Sequence, residues 1–162
     1  KPKWKLDETF LGPLCVTTAP NGDIYVGSIF DSGWLGGPNT GSIVRLRPNG
    51  KLPNGINEIR ATPDGFLINF HRAVDESQAA DPDNYSVSGY TRVWGGSYST
   101  PDSGRYQAKI QSIAVAEDRR SVLVKIDQLK AGFVYDVNCR MKSDGKSLWP
   151  DTGHYSMTKV PK

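Results

Sequence analysis

INEIRATPDGFLINFH, residues 56 to 71, already contains a complete β-hairpin. Thr62-Pro63-Asp64-Gly65 is its turn: proline fixes one φ, aspartate offers a short acceptor to the local backbone, and glycine puts no side chain in the path of the returning strand. Before the turn lie Ile56 and Ile59; after it Phe66, Ile68 and Phe70 fall on alternate positions, so one face of the second strand is apolar. The same texture continues downstream. DESQAA at 75–80 is one helical turn, capped by Asp75 and stopped by Asp81-Pro82. Strand-like segments then run over Tyr85–Trp94, Arg105–Val115, Ser121–Ile126 and Phe133–Asn138, with turns at Glu117-Asp118 and Lys130-Ala131-Gly132. In Ser121–Ile126 the core face is Val122, Val124 and Ile126, with Leu123 and Lys125 opposite. Short strands at this spacing predict an all-β chain with an immunoglobulin-like (Ig-like) β-sandwich rather than a parallel sheet.

Upstream the pattern changes. Leu14–Thr18, the turn Ala19-Pro20-Asn21-Gly22 and Ile24–Ile29 form a second hairpin signal. DSGWLGGPNTG (31–41) comes next, a loop with glycine at four of its eleven positions that must bend sharply or approach something closely. SIVRLR (42–47) is a third strand, closed by Pro48-Asn49-Gly50, and KLPNG (51–55) is a natural linker. A three-stranded sheet of this kind leaves an apolar face drawn from Ile24, Val26, Ile43 and Val44. Its cover could come from the downstream module, a second copy of the chain, or sheet segments on another polypeptide.

Composition bounds the partners. The chain has 162 residues, 17 of them glycine and 11 proline, which suits a turn-rich β protein of one domain or a domain with an appendage. The formal net charge is +3, but basic and acidic residues are interspersed, and no helix-turn-helix, zinc-finger or RNA-recognition pattern occurs, so nucleic acid is not an expected partner. No apolar stretch approaches the roughly 18 to 20 residues needed to cross a bilayer as a helix. The opening KPKWKLDE carries no signal-peptide pattern, so any targeting segment is expected to lie outside this chain. Cys15 and Cys139 are too few for a disulfide framework and have no metal-ligand spacing; one long-range disulfide and two buried free thiols both fit.

Two stretches resemble known families. GPLCVTTAPNGDIYVGSIFDSGWLGGPNTGSIVRLRP (12–48) resembles one blade, a last one, of the soluble sugar dehydrogenase-like β-propellers of the glucose and sorbosone dehydrogenase family. Ile56–Cys139, with FHRAVD at 70–75, NYSV at 84–87 and AGFVYDV at 131–137, is similar to bacterial Ig-like modules, and His154-Tyr155-Ser156-Met157-Thr158 resembles the tail that succeeds them in large exported propeller proteins. The resemblance implies three segments: a blade-like antiparallel sheet over 1–53, an Ig-like β-sandwich over 54–140, and a returning tail over 141–162. It also implies a secreted or periplasmic location and, for a complete relative, a propeller that binds pyrroloquinoline quinone and oxidises sugars. A propeller needs at least about four blades, and one at most is present. No catalytic or quinone-binding residue is therefore carried over, and no cofactor is expected in this chain. The remaining blades, or a partner subunit, are the implied partners.

The residues themselves point the same way. His71 and His154 stand outside any His-x-x-x-His or Cys-x-x-Cys spacing, and only a meeting in space with Asp75 would give them chemistry. Asp75 and Glu76, Asp81 and Asp83, and Glu117 and Asp118 all sit in turn signals, where they read as turn formers rather than a glycosidase pair. No nucleophile elbow, Walker loop or dinucleotide fingerprint occurs, and no catalytic or metal site is assigned. The aromatic set is the informative one. GYTRVWGGSYSTPDSGRY (89–106) places Tyr90, Trp94, Tyr98 and Tyr106 around a polar, glycine-containing loop, with Arg92, Asp102 and Arg105 nearby. Aromatic faces flanked by hydrogen-bonding groups suit sugar rings, which present C–H faces and hydroxyl rims. The competing reading is that these rings pack across strands, and Trp34 in the glycine-rich loop divides the same way. Two functions stand as expectations: a non-catalytic accessory module of an exported sugar dehydrogenase-like propeller system, or an autonomous module that binds polysaccharide or oligosaccharide through Trp94, Tyr98, Tyr90 and Trp34 with Arg92 and Arg105.

Overall fold

The computed structural model describes residues 12–21, 23–29, 41–47 and 53–162. It divides into two compact units, Lys1–Leu52 and Pro53–Lys162. Trp34 and the glycine-rich loop around it lie outside the described residues.

In the first unit β1 (Pro13–Thr18), β2 (Ile24–Ile29) and β3 (Gly41–Leu46) form an antiparallel sheet in chain order. The β1–β2 turn is locked by Asn21, whose side-chain oxygen accepts the Asp23 backbone N–H at 3.1 Å. Asp23 is buried and is held by the Arg47 guanidinium at 3.1 and 3.2 Å, which ties the start of β2 to the end of β3. That hydrogen-bonded arginine holds the carboxyl below the usual aspartate range. The register Val16↔Val26↔Val44 puts three valines in one cross-strand row, and strand alternation adds Ile24 and Leu46 to the same face. Ile43 does not belong to that face. It is opposite Gly27, on the other side of the sheet, and is 79% exposed.

The second unit is a sandwich of two four-stranded antiparallel sheets. One has the order β4 (Ile56–Thr62), β5 (Gly65–Phe70), β9 (Ser121–Ile126), β8 (Ile110–Val115). The other has the order β13 (Thr152–Met157), β10 (Phe133–Cys139), β6 (Tyr85–Thr91), β7 (Ser103–Gln107). Lettered along the chain, these are the A-B-E-D and G-F-C-C′ sheets of an Ig-like fold. The β4–β5 hairpin turns at Thr62–Gly65 as the sequence predicts, and Gly65 is required there: a Cβ would stand 2.0 Å from the Val124 carbonyl oxygen. A short helix α1 (Glu76–Ala80) and a 3-10 turn (Pro82–Asn84) bridge β5 to β6. Asp75 caps the helix by accepting the Gln78 N–H at 3.0 Å.

Alternation builds the core. Phe66, Ile68, Phe70, Val122, Val124 and Ile126 face inward from one sheet, and Val87, Tyr135, Val137 and Met157 from the other. Phe66 packs against Tyr135 with the rings tilted and their centroids 5.2 Å apart. The Tyr135 hydroxyl then accepts the Lys130 backbone N–H at 2.6 Å and lies 2.9 Å from the Tyr106 hydroxyl, fixing the β9–β10 corner from within. This is the geometry of a tyrosine corner.

Three expectations change. Arg105–Val115 is not one strand: it breaks at Ala108-Lys109, where the Lys109 N–H is taken by the Asp127 side chain and the chain passes from one sheet to the other. Tyr85–Trp94 ends as a strand at Thr91. The segment 141–162 is no separate tail. It carries the hairpin β11 (Lys142–Ser143) and β12 (Lys146–Ser147), then β13, which pairs with β10 from Phe133↔Met157 to Asn138↔Thr152 as the edge strand of the sandwich. The cysteines are both free thiols, but only Cys139 is buried; Cys15 is exposed on β1. Burial pushes the Cys139 thiol up to about 12, with Asp151 adding to the shift, so it is an inert core residue.

Candidate functional site

The residues singled out in 90–105 belong to the β6–β7 hairpin and its long connecting loop. The strands pair at Ser88↔Gln107, Gly89↔Tyr106 and Thr91↔Ser103, with a bulge between Gly89 and Thr91 that releases the chain into the loop. Two arginines and two aspartates close its base. Arg92 Nε donates to Asp102 at 3.0 Å, and Arg105 reaches the other Asp102 oxygen at 2.6 Å. With its second nitrogen Arg105 donates to Asp136 on β10 at 2.8 Å and to Ser88 on β6 at 3.1 Å. His154 Nδ1 on β13 meets the remaining Asp136 oxygen at 2.8 Å. The network crosses all four strands of the sheet.

Its charges are mutually satisfied. Hydrogen bonds from Arg105 and then Arg92 hold the Asp102 carboxyl below its usual range. Burial pushes Asp136 up, but the bonds from Arg105 and His154 more than offset this and leave it lowered as well. Arg105, bonded to Asp136 and Asp102, is raised in turn.

The aromatic residues separate. Trp94 is 80% exposed and Tyr98 is fully exposed, with Gly96 between them at φ +78°, a conformation that favours glycine. Tyr90 behaves otherwise. It is 9% exposed, and the Arg105 guanidinium sits 4.1 Å above its ring centroid, with Arg92 at 5.8 Å. Its face is therefore taken by a cation and is closed to a sugar ring. Arg92, Arg105 and Tyr90 form the stem of the loop; Trp94 and Tyr98 form its exposed part. The sequence alone could not separate these roles. Nor did it single out Asp136, or place His154 beside it rather than Asp75, although the alternation of VYDVNC and TGHYSM puts both on the solvent face of the sheet.

Elsewhere the candidate groups stay apart. Asp75 is occupied with capping α1 and accepting the Ser77 hydroxyl at 2.6 Å, while His154 engages Asp136. Among the described residues no three His, Cys, Asp or Glu side chains are grouped to hold a metal ion. Asp75, Gln78, Arg119, Lys142 and Asp144 line an open, shallow cleft at the β5–β6, β8–β9 and β10–β13 connections.

No protein-family model matches the chain, and no curated protein does. The resemblance to sugar dehydrogenase-like propellers gains nothing from either comparison. Among solved structures, the crystal structure of the S-layer protein rSbsC(31-844) is similar over 65% of this chain at 21% identity, with a TM-score of 0.47. This chain covers 14% of that one. A likeness at that level carries no argument about function.

Proposed function

We propose that this chain is a non-catalytic binding module of an exported protein, and that it engages carbohydrate through the β6–β7 loop. The observation that carries the reading is the pairing of two exposed aromatic side chains, Trp94 and Tyr98, with a stem closed by four charged groups. An exposed tryptophan on a mobile tether would lose much of its binding energy to ordering. Held on a braced loop, it offers an apolar face at lower entropic cost. Binding is favoured over bond cleavage by the state of the nearby carboxylates. General acid catalysis needs a carboxyl raised towards neutral pH, whereas Asp102 and Asp136 are both lowered by their arginine partners. The exported setting, and a role as accessory to a sugar dehydrogenase-like assembly, rest on the sequence resemblance.

The test is a titration of intrinsic tryptophan fluorescence with a panel of soluble glycans, using the whole chain. At least one glycan is expected to shift the emission. Trp94→Ala should abolish the shift, and Tyr98→Ala should weaken binding by roughly tenfold, the effect of removing an interface anchor. A silent panel, or a response unchanged by Trp94→Ala, would sink the reading.

A further inference from the structure

The outward face of the β13-β10-β6-β7 sheet is polar in an ordered way. Register places His154, Asp136, Ser88 and Gln107 in one row across all four strands. The next row is Thr152, Asn138 and Ser86. Within these rows Thr152 donates to Asn138 at 2.7 Å and Gln107 donates to Ser86 at 3.3 Å, so the groups are held in place by one another. Each still has an edge to spare: the Asn138 amide nitrogen, the Gln107 amide oxygen and His154 Nε2 have no partner among the described residues. Arg105 belongs to both parts of the molecule, bonding Asp136 in the first row and Asp102 in the stem of the aromatic loop. The face and the loop are thus one continuous surface.

We infer that an uncharged oligosaccharide chain lies across this sheet face, starting at Trp94 and Tyr98 and running over the His154–Asp136–Ser88–Gln107 row. The inference rests on the carbohydrate reading above and extends it. Neighbouring strands are spaced about 4.8 Å apart, close to the length of one sugar ring, so successive strands present side chains to successive rings. Planar imidazole and amide groups with donors or acceptors to spare match vicinal hydroxyls. The ligand is uncharged because the arginines and aspartates of this surface already neutralise one another. An acidic sugar would have to break an existing pair to find a cation, and a basic one to find a carboxylate. His154 has a side-chain exposure of 68% and Asn138 is only half-buried, so either can be truncated without opening the core.

The experiment is calorimetric titration of the whole chain with cello-, manno- and chito-oligosaccharides from disaccharide to hexasaccharide, with oligogalacturonate as the acidic counterpart. For at least one neutral series, affinity is expected to climb with chain length. His154→Ala and Asn138→Ala should each lose roughly fivefold to tenfold on the hexasaccharide, the effect of one lost hydrogen bond, and nothing on the disaccharide. Both variants should still melt cooperatively, within a few degrees of the parent, because each loses only one exposed or half-buried hydrogen bond. Affinity independent of chain length, or hexasaccharide binding unaffected by both substitutions while Trp94→Ala abolishes it, overturns the sheet-face inference and leaves the loop reading standing. Preference for oligogalacturonate overturns the uncharged ligand. Absence of binding to every series overturns both readings together.

Discussion

Tyr135 shows what a single residue does here. Its ring fills the centre of the sandwich against Phe66, and its hydroxyl is the acceptor for the Lys130 N–H at the β9–β10 corner. Phenylalanine would keep the ring and remove the acceptor, leaving the Lys130 N–H unpaired at a half-buried site and the Tyr106 hydroxyl with the Gln128 carbonyl alone. Tyr135→Phe is therefore expected to cost about 1–3 kcal/mol, read as a lower urea midpoint with an unchanged slope. A midpoint equal to the parent's would show that the corner is held by something else. Burial of such residues was legible from alternation: Phe66, Ile68, Phe70, Val122, Val124 and Ile126 are inward as the period-two pattern requires. The fate of Tyr90 was not legible. Alternation assigns it to the outer face, and only the folded register reveals that Arg105 lies over that ring.

At the scale of the element, the β6–β7 hairpin depends on charge as much as on strand pairing, and this fixes its response to acid. Asp102 and Asp136 both have folded-state values below the ordinary aspartate value. Their contribution is therefore fully present above about pH 4 and is lost as the pH falls through the folded values. The side-chain Nε resonance of Arg92, which donates to Asp102, is expected to keep its bonded position from neutral pH down to about pH 4 and to move below it. Asp102→Asn should shift the Arg92 resonance at all pH values and remove its acid transition. A transition near neutral pH would contradict the assignment. Sequence showed this hairpin only in part. Its two arginines and Asp102 were visible as neighbours, but Asp136 is contributed by a strand more than thirty positions along the chain. β13 was hidden for a different reason: of TGHYSM only Tyr155 and Met157 give an apolar signal, and its identity as a strand comes from pairing with β10.

At the scale of the whole molecule, the two units differ in what they can bury by themselves. The Pro53–Lys162 unit has two sheets, each supplying a facing layer, and a core of residues with almost no exposure. Among the described residues of the first unit there is one three-stranded sheet, in which Leu14 and Val16 are about 70% exposed. A single sheet layer buries its apolar side chains only against a second layer, and chains of roughly this length have little surface to bury. The Asp23–Arg47 pair orients the sheet's turns but adds no apolar layer. Expressed separately, residues 53–162 should therefore give a β-type circular dichroism spectrum and a single cooperative melt, because every strand of the sandwich and both of its sheet partners are retained. Residues 1–52 expressed separately should show no cooperative transition and should bind dyes that report exposed apolar surface. If 53–162 melted gradually, or if 1–52 melted cooperatively as a monomer, the division of stability between the units would be other than their layers dictate. The glycan titrations repeated on a cooperatively melting 53–162 fragment should then match those of the whole chain, since Trp94, Tyr98 and the entire β13-β10-β6-β7 face lie within it.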